Sequence, residues 1–272
     1  MASLDRYTGA GLRVATWNVH EGVPEGGTDD IFQGGGSLDH SRSVTDMLLE
    51  GAIDVIGMQE VGFSGEGRSE LLDLILETTP LHHIATFPLH ASSFFPGRLS
   101  GVAIASRFPL RDVHRHRLPN PGLSTRFGDD VIHSHDKGLV SAVCESDSGV
   151  RLDIAAVHSF PFHLFGRDAT ETEFTPVWKS LAARLGELSA RSLLVCGDFN
   201  AEHAAGLLAA RGLSLGSAMT GTTTYRGAAV DDVLHGSGFR LMSSSTVPNL
   251  SDHCLCLAKL HWSDPPSGPS SG

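Results

Sequence analysis

The sequence predicts a mixed α/β fold, in which helices cover the faces of partly antiparallel β-structure. Short apolar runs recur between loops rich in glycine and proline, and several are apolar on both faces, as buried strands are. Helical patterns lie between these runs. A turn-forming cluster at 146–149 joins two of the runs as a hairpin, so the sheets cannot be all parallel.

The individual elements follow from these patterns in chain order. Strands are predicted at 12–18, 53–59, 101–106, 139–145, 150–158, 192–196, 229–235 and 254–260. Helices are predicted at 38–50, 69–77, 175–188 and 203–210. The longest loops are predicted at 22–36 and 118–137, and long loops on a rigid scaffold often contact substrate.

The organisation of the 272 residues indicates one domain at 1–262, because no internal repeat and no Pro/Ser linker divides it. A flexible tail is expected at 263–272 from its Ser, Gly and Pro content. The first residues lack the pattern of a signal peptide, and no run of 18 apolar residues occurs, so we expect a cytoplasmic protein without a membrane span.

The composition is that of a globular protein, with 40% hydrophobic and 19% charged residues. The 20 basic and 31 acidic residues give a net charge of −11, so no sequence-wide field attracts nucleic acid or anionic lipid. Any phosphate substrate must therefore be held locally. The cysteines have no zinc spacing and lie in apolar runs, and we expect buried reduced thiols: Cys144, Cys196, Cys254 and Cys256.

Polar side chains stand at the ends of four apolar runs. Asn18 ends the first and Glu60 follows the second. The other residues are Asp198, Asn200, Asp252 and His253. Singly, each has an ordinary explanation as a cap, a turn residue or a solvated charge. Together they supply oxygen ligands for Mg²⁺ or Mn²⁺ and a titrating base, so chance becomes the weaker explanation.

These residues lie in motifs that resemble the endonuclease/exonuclease/phosphatase superfamily. The resemblance covers 12–260, and its motifs agree in order and spacing. They are Ala15-Thr-Trp-Asn18, Asp54-Val-Ile-Gly-Met-Gln-Glu60, Gly101-Val-Ala-Ile-Ala-Ser-Arg107, Val157-His158, Gly197-Asp-Phe-Asn200, Val230-Asp-Asp232 and Ser251-Asp-His253. The segment His158-Ser-Phe-Pro161 is most similar to the deoxyribonuclease I branch.

The resemblance implies a four-layer α/β sandwich of two packed, mixed or antiparallel sheets flanked by helices, with the site at one edge. It implies an enzyme that hydrolyses phosphate esters with Mg²⁺, or Mn²⁺ in its place. Asn18 and Glu60 would bind the cation, and Asp252 would help to ligate or orient it. No obligate protein partner is implied.

The same resemblance implies the catalytic residues. Asp198 and Asn200 would position the nucleophilic water and the scissile phosphate. His253 would be the general base, held by Asp231. His158 would bind a phosphate oxygen or act as general acid on the leaving alkoxide, although no carboxylate partner for it is recognisable in 81–98.

Three functions stay open at this point. Nuclease-type phosphodiester hydrolysis is slightly favoured by the His158 segment and opposed by the charge of −11, because binding to the phosphate backbone normally needs basic contacts. The alternative is a phosphatase or phosphodiesterase acting on a small molecule or a lipid headgroup. A catalytically inactive binding module is the third.

Several other residues are candidate substrate contacts, each with an ordinary structural alternative. Arginine and histidine side chains in the loops could bind phosphate: Arg126, His163, Arg167 and Arg226. Aromatic side chains after His158 could stack on a base or cover a headgroup, although packing of the loop is favoured: Phe160, Phe162 and Phe165.

Overall fold

The computed structural model describes residues 11–23, 36–128, 130–146 and 149–263. The strands are β1 (Leu12–Asn18), β2 (Val55–Phe63), β3 (His83–Ala91), β4 (Leu99–Ser106), β5 (Leu110–Arg117), β6 (Ser124–Phe127), β7 (Asp130–His133), β8 (Gly138–Glu145), β9 (Arg151–His158), β10 (Leu193–Asp198), β11 (Gly216–Ser217), β12 (Asp231–His235), β13 (Phe239–Val247) and β14 (Leu255–Trp262). The helices are α1 (Gly36–Glu50), α2 (Glu70–Thr78), α3 (Thr175–Gly186) and α4 (Ala204–Ala209). All eight predicted strands and all four predicted helices are confirmed, with shifted ends.

Two six-stranded sheets dominate the described part of the chain. The first has the order β13-β14-β1-β2-β4-β3 and the second the order β11-β12-β10-β9-β8-β5. Each contains one parallel pair, β1 with β2 and β9 with β10, and its other pairs are antiparallel. The predicted hairpin between β8 and β9 is confirmed.

The sheets pack face to face, and helices cover both outer faces. Alternate residues of the strands point to different layers: Val14 faces the other sheet, whereas Trp17 packs with Leu48 of α1. On the second sheet, Val195 packs with Leu181 of α3. This arrangement is the four-layer α/β sandwich that the resemblance implies.

The sheets approach closely at their centre. A Cβ atom at Gly57 would lie 2.5 Å from the Cβ atom of Cys196, so β2 tolerates no side chain at this point. All four cysteines are buried and free, as expected, and burial raises the pKa of the Cys196 thiol to about 12. Within the described residues, no helix has the length and apolar character needed to cross a membrane.

The predicted loop at 118–137 needs correction, and parts of two other predicted segments lie outside the described residues. The segment 118–137 is not a simple loop, because β6 and β7 form a two-stranded hairpin within it. Its strands were missed because both faces of β7 are exposed, so no apolar pattern marks it. Residues 24–35 of the other predicted loop and residues 264–272 of the expected tail lie outside the described residues.

Candidate active site

The site lies at one edge of the sandwich, where strands from both sheets end. In the first sheet Asn18, the last residue of β1, pairs with Gln59 of β2. In the second, His158 pairs with Asp198 at the carboxyl ends of β9 and β10. The Asn18 Nδ2 atom donates a hydrogen bond to Asp198 Oδ2 at 3.0 Å, which joins the two sheets at this edge.

Glu60 is aimed into the site by an irregularity of β2. The pairing of β2 with β4 shifts register between Met58 and Val61, and Glu60 has φ of +52°. A β-bulge of this kind redirects a side chain, and a positive φ at a non-glycine residue costs conformational energy. The Glu60 carboxylate is 24% exposed, and its Oε1 atom lies 3.8 Å from His158 Nε2.

The charges around Glu60 keep it ionised. Burial alone would raise its pKa, but the positive charge of Lys137 and then those of His20 and His253 outweigh burial. The pKa of Glu60 is therefore below its ordinary value. An ionised carboxylate is what a hard cation requires of a ligand.

Asp231 and His253 form a buried acid–imidazole pair. The His253 Nδ1 atom donates to Asp231 Oδ2 at 2.8 Å, and His253 Nε2 lies 3.8 Å from Asp198 Oδ2. Burial opposes the charged imidazole, but Asp231 and Asp198 outweigh it and raise the pKa of His253 well above its ordinary value. The pair therefore makes the imidazole a strong proton acceptor.

Asp198 and Asn200 occupy the centre of the site. The Asp198 Oδ1 atom accepts the backbone N–H of Asn200 at 2.9 Å, and Asn200 Nδ2 donates to the Ser159 carbonyl at 3.2 Å. Asn200 has φ of +49°, so this turn is held in an uncommon conformation. Burial raises the pKa of Asp198, and the neighbouring Asp231 adds to that effect.

Lys137 is the buried cation of the site, and it stands immediately before β8. Its Nζ atom lies 3.2 Å from His158 Nδ1 and 3.1 Å from His158 Nε2. Burial and then the positive charge of Lys137 hold the pKa of His158 well below its ordinary value. His158 therefore has a cation, and not the carboxylate sought in 81–98, as its nearest charged partner.

Asp252 lies on the side of the site formed by the turn after β1. Its Oδ1 atom is 3.9 Å from His20 Nδ1, and the backbone N–H of His20 donates to Asn18 Oδ1 at 3.0 Å. The Ser251 hydroxyl donates to the Asn18 carbonyl at 2.8 Å and fixes the entrance to β14 against β1.

The donor set is consistent with a divalent cation. Carboxylate and amide oxygens suit Mg²⁺ or Mn²⁺, and the three residues expected to supply them are Asn18, Glu60 and Asp252. In the described part of the chain, one cluster of three carboxylate or imidazole groups has its ligand atoms within 4.8 Å of one another, and it consists of Asp198, Asp231 and His253. That cluster adjoins the expected ligands through the Asn18–Asp198 hydrogen bond.

The structure thus brings the expected site residues to one edge of the sandwich, while their roles stay predictions. Sequence reasoning missed Lys137 and His20. Lys137 carries a weak signal, because it is one of three lysines in the chain and directly precedes an apolar run. His20 carries none, because its place depends on the left-handed turn it forms with Glu21 and Gly22.

Among the other candidate substrate contacts, the structure shows that the three phenylalanines pack in or against the protein core and that Arg167 forms ion pairs. Phe160 and Phe162 are buried in the core beneath the second sheet, and Phe165 packs against them, as favoured. Arg167 forms ion pairs with Glu171 and Glu173.

The sequence profile of the endonuclease/exonuclease/phosphatase family matches residues 15–253. The chain belongs to this family. Members of the endonuclease/exonuclease/phosphatase family hydrolyse phosphate esters and generally depend on a divalent metal, so the chain is a phosphate-ester hydrolase. No curated protein matches the sequence.

Solved structures support the fold. An endonuclease/exonuclease/phosphatase from Beutenbergia cavernae has a TM-score of 0.69 at 17% identity, covering 95% of this chain and 73% of that one. A mannosyl-6-phosphatase from Bacteroides thetaiotaomicron has a TM-score of 0.61 at 15% identity, and the match covers 92% of this chain and 100% of that one. A 3'-5' exonuclease from Neisseria meningitidis has a TM-score of 0.56 at 17% identity, and the match covers 92% of this chain and 100% of that one. At these identities, the similarity concerns the fold of the family.

Proposed function

We propose that this protein hydrolyses a small phosphate ester by attack of water, with a divalent cation at Asn18, Glu60 and Asp252. The observation that carries the proposal is the Asp231–His253 pair, whose Nε2 atom faces Asp198 at 3.8 Å. A divalent cation, when bound, would stabilise the charge on the phosphoryl and leaving oxygens, a contribution of several kcal/mol.

The described residues divide the remaining work between them. In its neutral form His253 takes the proton of the attacking water, and Asp231 fixes the ring tautomer and stabilises the imidazolium, which typically contributes about 10²–10⁴-fold. Asp198 and Asn200 orient the water and the phosphate. Asn18 and Asn200 are neutral, so they orient oxygens without adding repulsion toward an anionic substrate.

His158 acts in this proposal as a hydrogen-bond donor to a phosphate oxygen. Burial and the neighbouring cations depress its pKa, so the ring is neutral at pH 7 and carries one N–H. A neutral imidazole is a poor proton source for a leaving alkoxide. Of the two roles left open by the sequence, the phosphate contact is therefore the better supported.

The charge distribution favours a small substrate over a long nucleic acid. Arg167, one of the arginines considered for substrate binding, is engaged by the carboxylates of Glu171 and Glu173. Backbone binding to nucleic acid requires cations available for phosphates. The buried aromatic side chains of Phe160 and Phe162 are also not presented for base stacking.

Nuclease-type phosphodiester hydrolysis is the second candidate. It is supported by the segment that follows β9, in which His158 is succeeded by Ser159 and Pro161 as in the deoxyribonuclease I branch. The Neisseria neighbour is named as an exonuclease and the Bacteroides neighbour as a mannosyl-6-phosphatase, so the fold accommodates both classes.

A substrate panel tests the proposal. The purified protein is assayed with Mg²⁺, Mn²⁺ or chelator on sugar phosphates, inositol phosphates, bis-nitrophenyl phosphate, RNA and plasmid DNA, beside the His253→Ala variant as a control for contaminants. We expect turnover of small esters that requires the cation and His253. Cleavage of DNA or RNA, with affinity that falls steeply as salt rises, would favour the nuclease instead. Absence of turnover on the whole panel would contradict both.

A further inference from the structure

Lys137 is a buried charge that the mechanism above does not use. Its side chain is 5% exposed, although lysine is almost never fully buried without a partner. Among the described residues, its ammonium has hydrogen bonds only to His158, and no carboxylate oxygen comes within ion-pair distance of it. Burial of an ammonium group is costly unless the charge is paired, so the ammonium is incompletely compensated.

The hydrogen-bond count leads to the same conclusion. An ammonium group has three N–H donors, whereas a neutral imidazole offers one acceptor nitrogen. Contacts to both nitrogens of His158 therefore satisfy at most one donor of Lys137. At least two N–H groups lack an acceptor among the described residues, although the negative charges of Glu60, Asp198 and Glu21 attract the ammonium.

The backbone holds Lys137 in this place. Its carbonyl accepts the N–H of Leu118 at 2.9 Å. The next residue, Gly138, pairs with His158, and a Cβ atom at Gly138 would lie 2.4 Å from the carbonyl oxygen of His116. These contacts fix the backbone of Lys137 at the start of β8, beside His158.

From this geometry we infer that Lys137 binds a non-bridging oxygen of the phosphate group that occupies the site. The inference rests on the proposed function for the identity of the anion as substrate and product phosphate. A phosphate oxygen would accept the N–H groups that His158 leaves unpaired, and a charge-assisted hydrogen bond of this kind is among the stronger ones in proteins. Lys137 and His158 together would form one phosphate-binding wall of the site.

Inorganic phosphate tests this inference without any need for turnover. Its binding is measured by calorimetry on the full chain, both metal-free and loaded with Mg²⁺, for the wild type, Lys137→Met and Lys137→Arg. Lys179→Met is the matched control, because Lys179 is exposed on α3 and distant in sequence from the site. We expect Lys137→Met to weaken phosphate binding about 10–100-fold, as loss of a hydrogen bond to a charged group does. Lys137→Arg should retain part of the affinity, and Lys179→Met should bind as the wild type does.

Thermal unfolding distinguishes this role from a structural one. The Tm of Lys137→Met should stay close to that of the wild type, because relief from the burial of an ammonium group offsets the loss of its attraction to Glu60. Lys137→Gln replaces it should the Met variant fail to fold. Wild-type phosphate affinity in Lys137→Met would overturn the inference, and so would a wild type that binds no phosphate. Phosphate binding that depends on Lys137 in a protein without turnover would instead sustain the anion site and contradict the proposed function.

Discussion

The two histidines of the site have opposite surroundings. His253 donates to the buried carboxylate of Asp231 and faces Asp198, and these charges raise its pKa. His158 contacts the ammonium of Lys137, and that charge adds to burial in lowering its pKa. Both rings meet at Asp198, with His158 Nε2 at 3.5 Å and His253 Nε2 at 3.8 Å from the same carboxylate oxygen.

This difference shows that the charged side chain beside a histidine determines which chemical role the imidazole ring can take. The carboxylate side of the site increases basicity and suits proton removal from water. The ammonium side keeps the ring neutral and suits donation of a hydrogen bond to phosphate. The residue type alone would assign the same role to both.

Loss of the ring on the carboxylate side should have the largest effect. We expect His253→Gln to lower kcat about 10²–10⁴-fold, because the proposed proton acceptor is lost, while circular dichroism shows an intact fold. His133→Gln, on the exposed strand β7, is the matched control and should keep the wild-type rate. A wild-type kcat in His253→Gln would show that His253 is not the general base.

Replacement of Glu60 should act on the cation. In Glu60→Gln the ionised oxygen is lost, so the Mg²⁺ concentration for half-maximal activity should rise at least about tenfold, comparable with losses seen when metal-site contacts are removed. The measurement is a metal titration of kcat/KM, with Glu66→Gln as an exposed control. An unchanged titration curve would mean that Glu60 does not bind the cation.

The sequence predicted the meeting of Asn18, His158 and Asp198 because strand order determines it. Asn18, His158 and Asp198 stand at the carboxyl ends of β1, β9 and β10, strands of the two parallel pairs, where side chains gather at one sheet edge. Glu60 reaches the same edge through the register shift within β2. Lys137 was missed because its place in the site depends on contacts between segments. Lys137 lies in a segment taken for loop, and it meets His158 only because β8 pairs with β9.

The same reasoning explains which strands escaped prediction. Apart from the small hairpin, the unpredicted strands are the four edge strands of the two sheets: β3, β5, β11 and β13. An edge strand is partly exposed and carries polar residues that discourage further pairing, so it lacks a continuous apolar run. In β13, for example, residues 243–246 are serines and a threonine, all exposed.

Substitution of His158 should have a smaller effect that does not depend on the leaving group. As a phosphate contact, His158→Gln should lower kcat/KM about tenfold both for a nitrophenyl ester and for an alkyl ester, because one hydrogen bond to charge is lost in each case. A general acid would matter far more for the alkyl ester, whose alkoxide needs a proton. A large loss confined to the alkyl ester would therefore show that the two histidines act as an acid and base pair.

The ammonium side should also be the acid-sensitive part of the fold. Burial and the charge of Lys137 lower the pKa of His90, whose ring stacks on that of His135, from 6.5 to about 4. In the unfolded chain His90 is protonated near pH 6.5, whereas in the folded chain it is protonated only near pH 4. The contribution of neutral His90 to the free energy of unfolding is therefore fully present above pH 6.5 and is lost as the pH falls toward 4. His90→Asn removes this group. When the pH is lowered from 7.5 to 5, the Tm of the variant should therefore fall by roughly 2–4 °C less than the Tm of the wild type. An equal fall in both proteins would mean that His90 gains its proton as readily in the folded state, and that the positive field of Lys137 does not reach it.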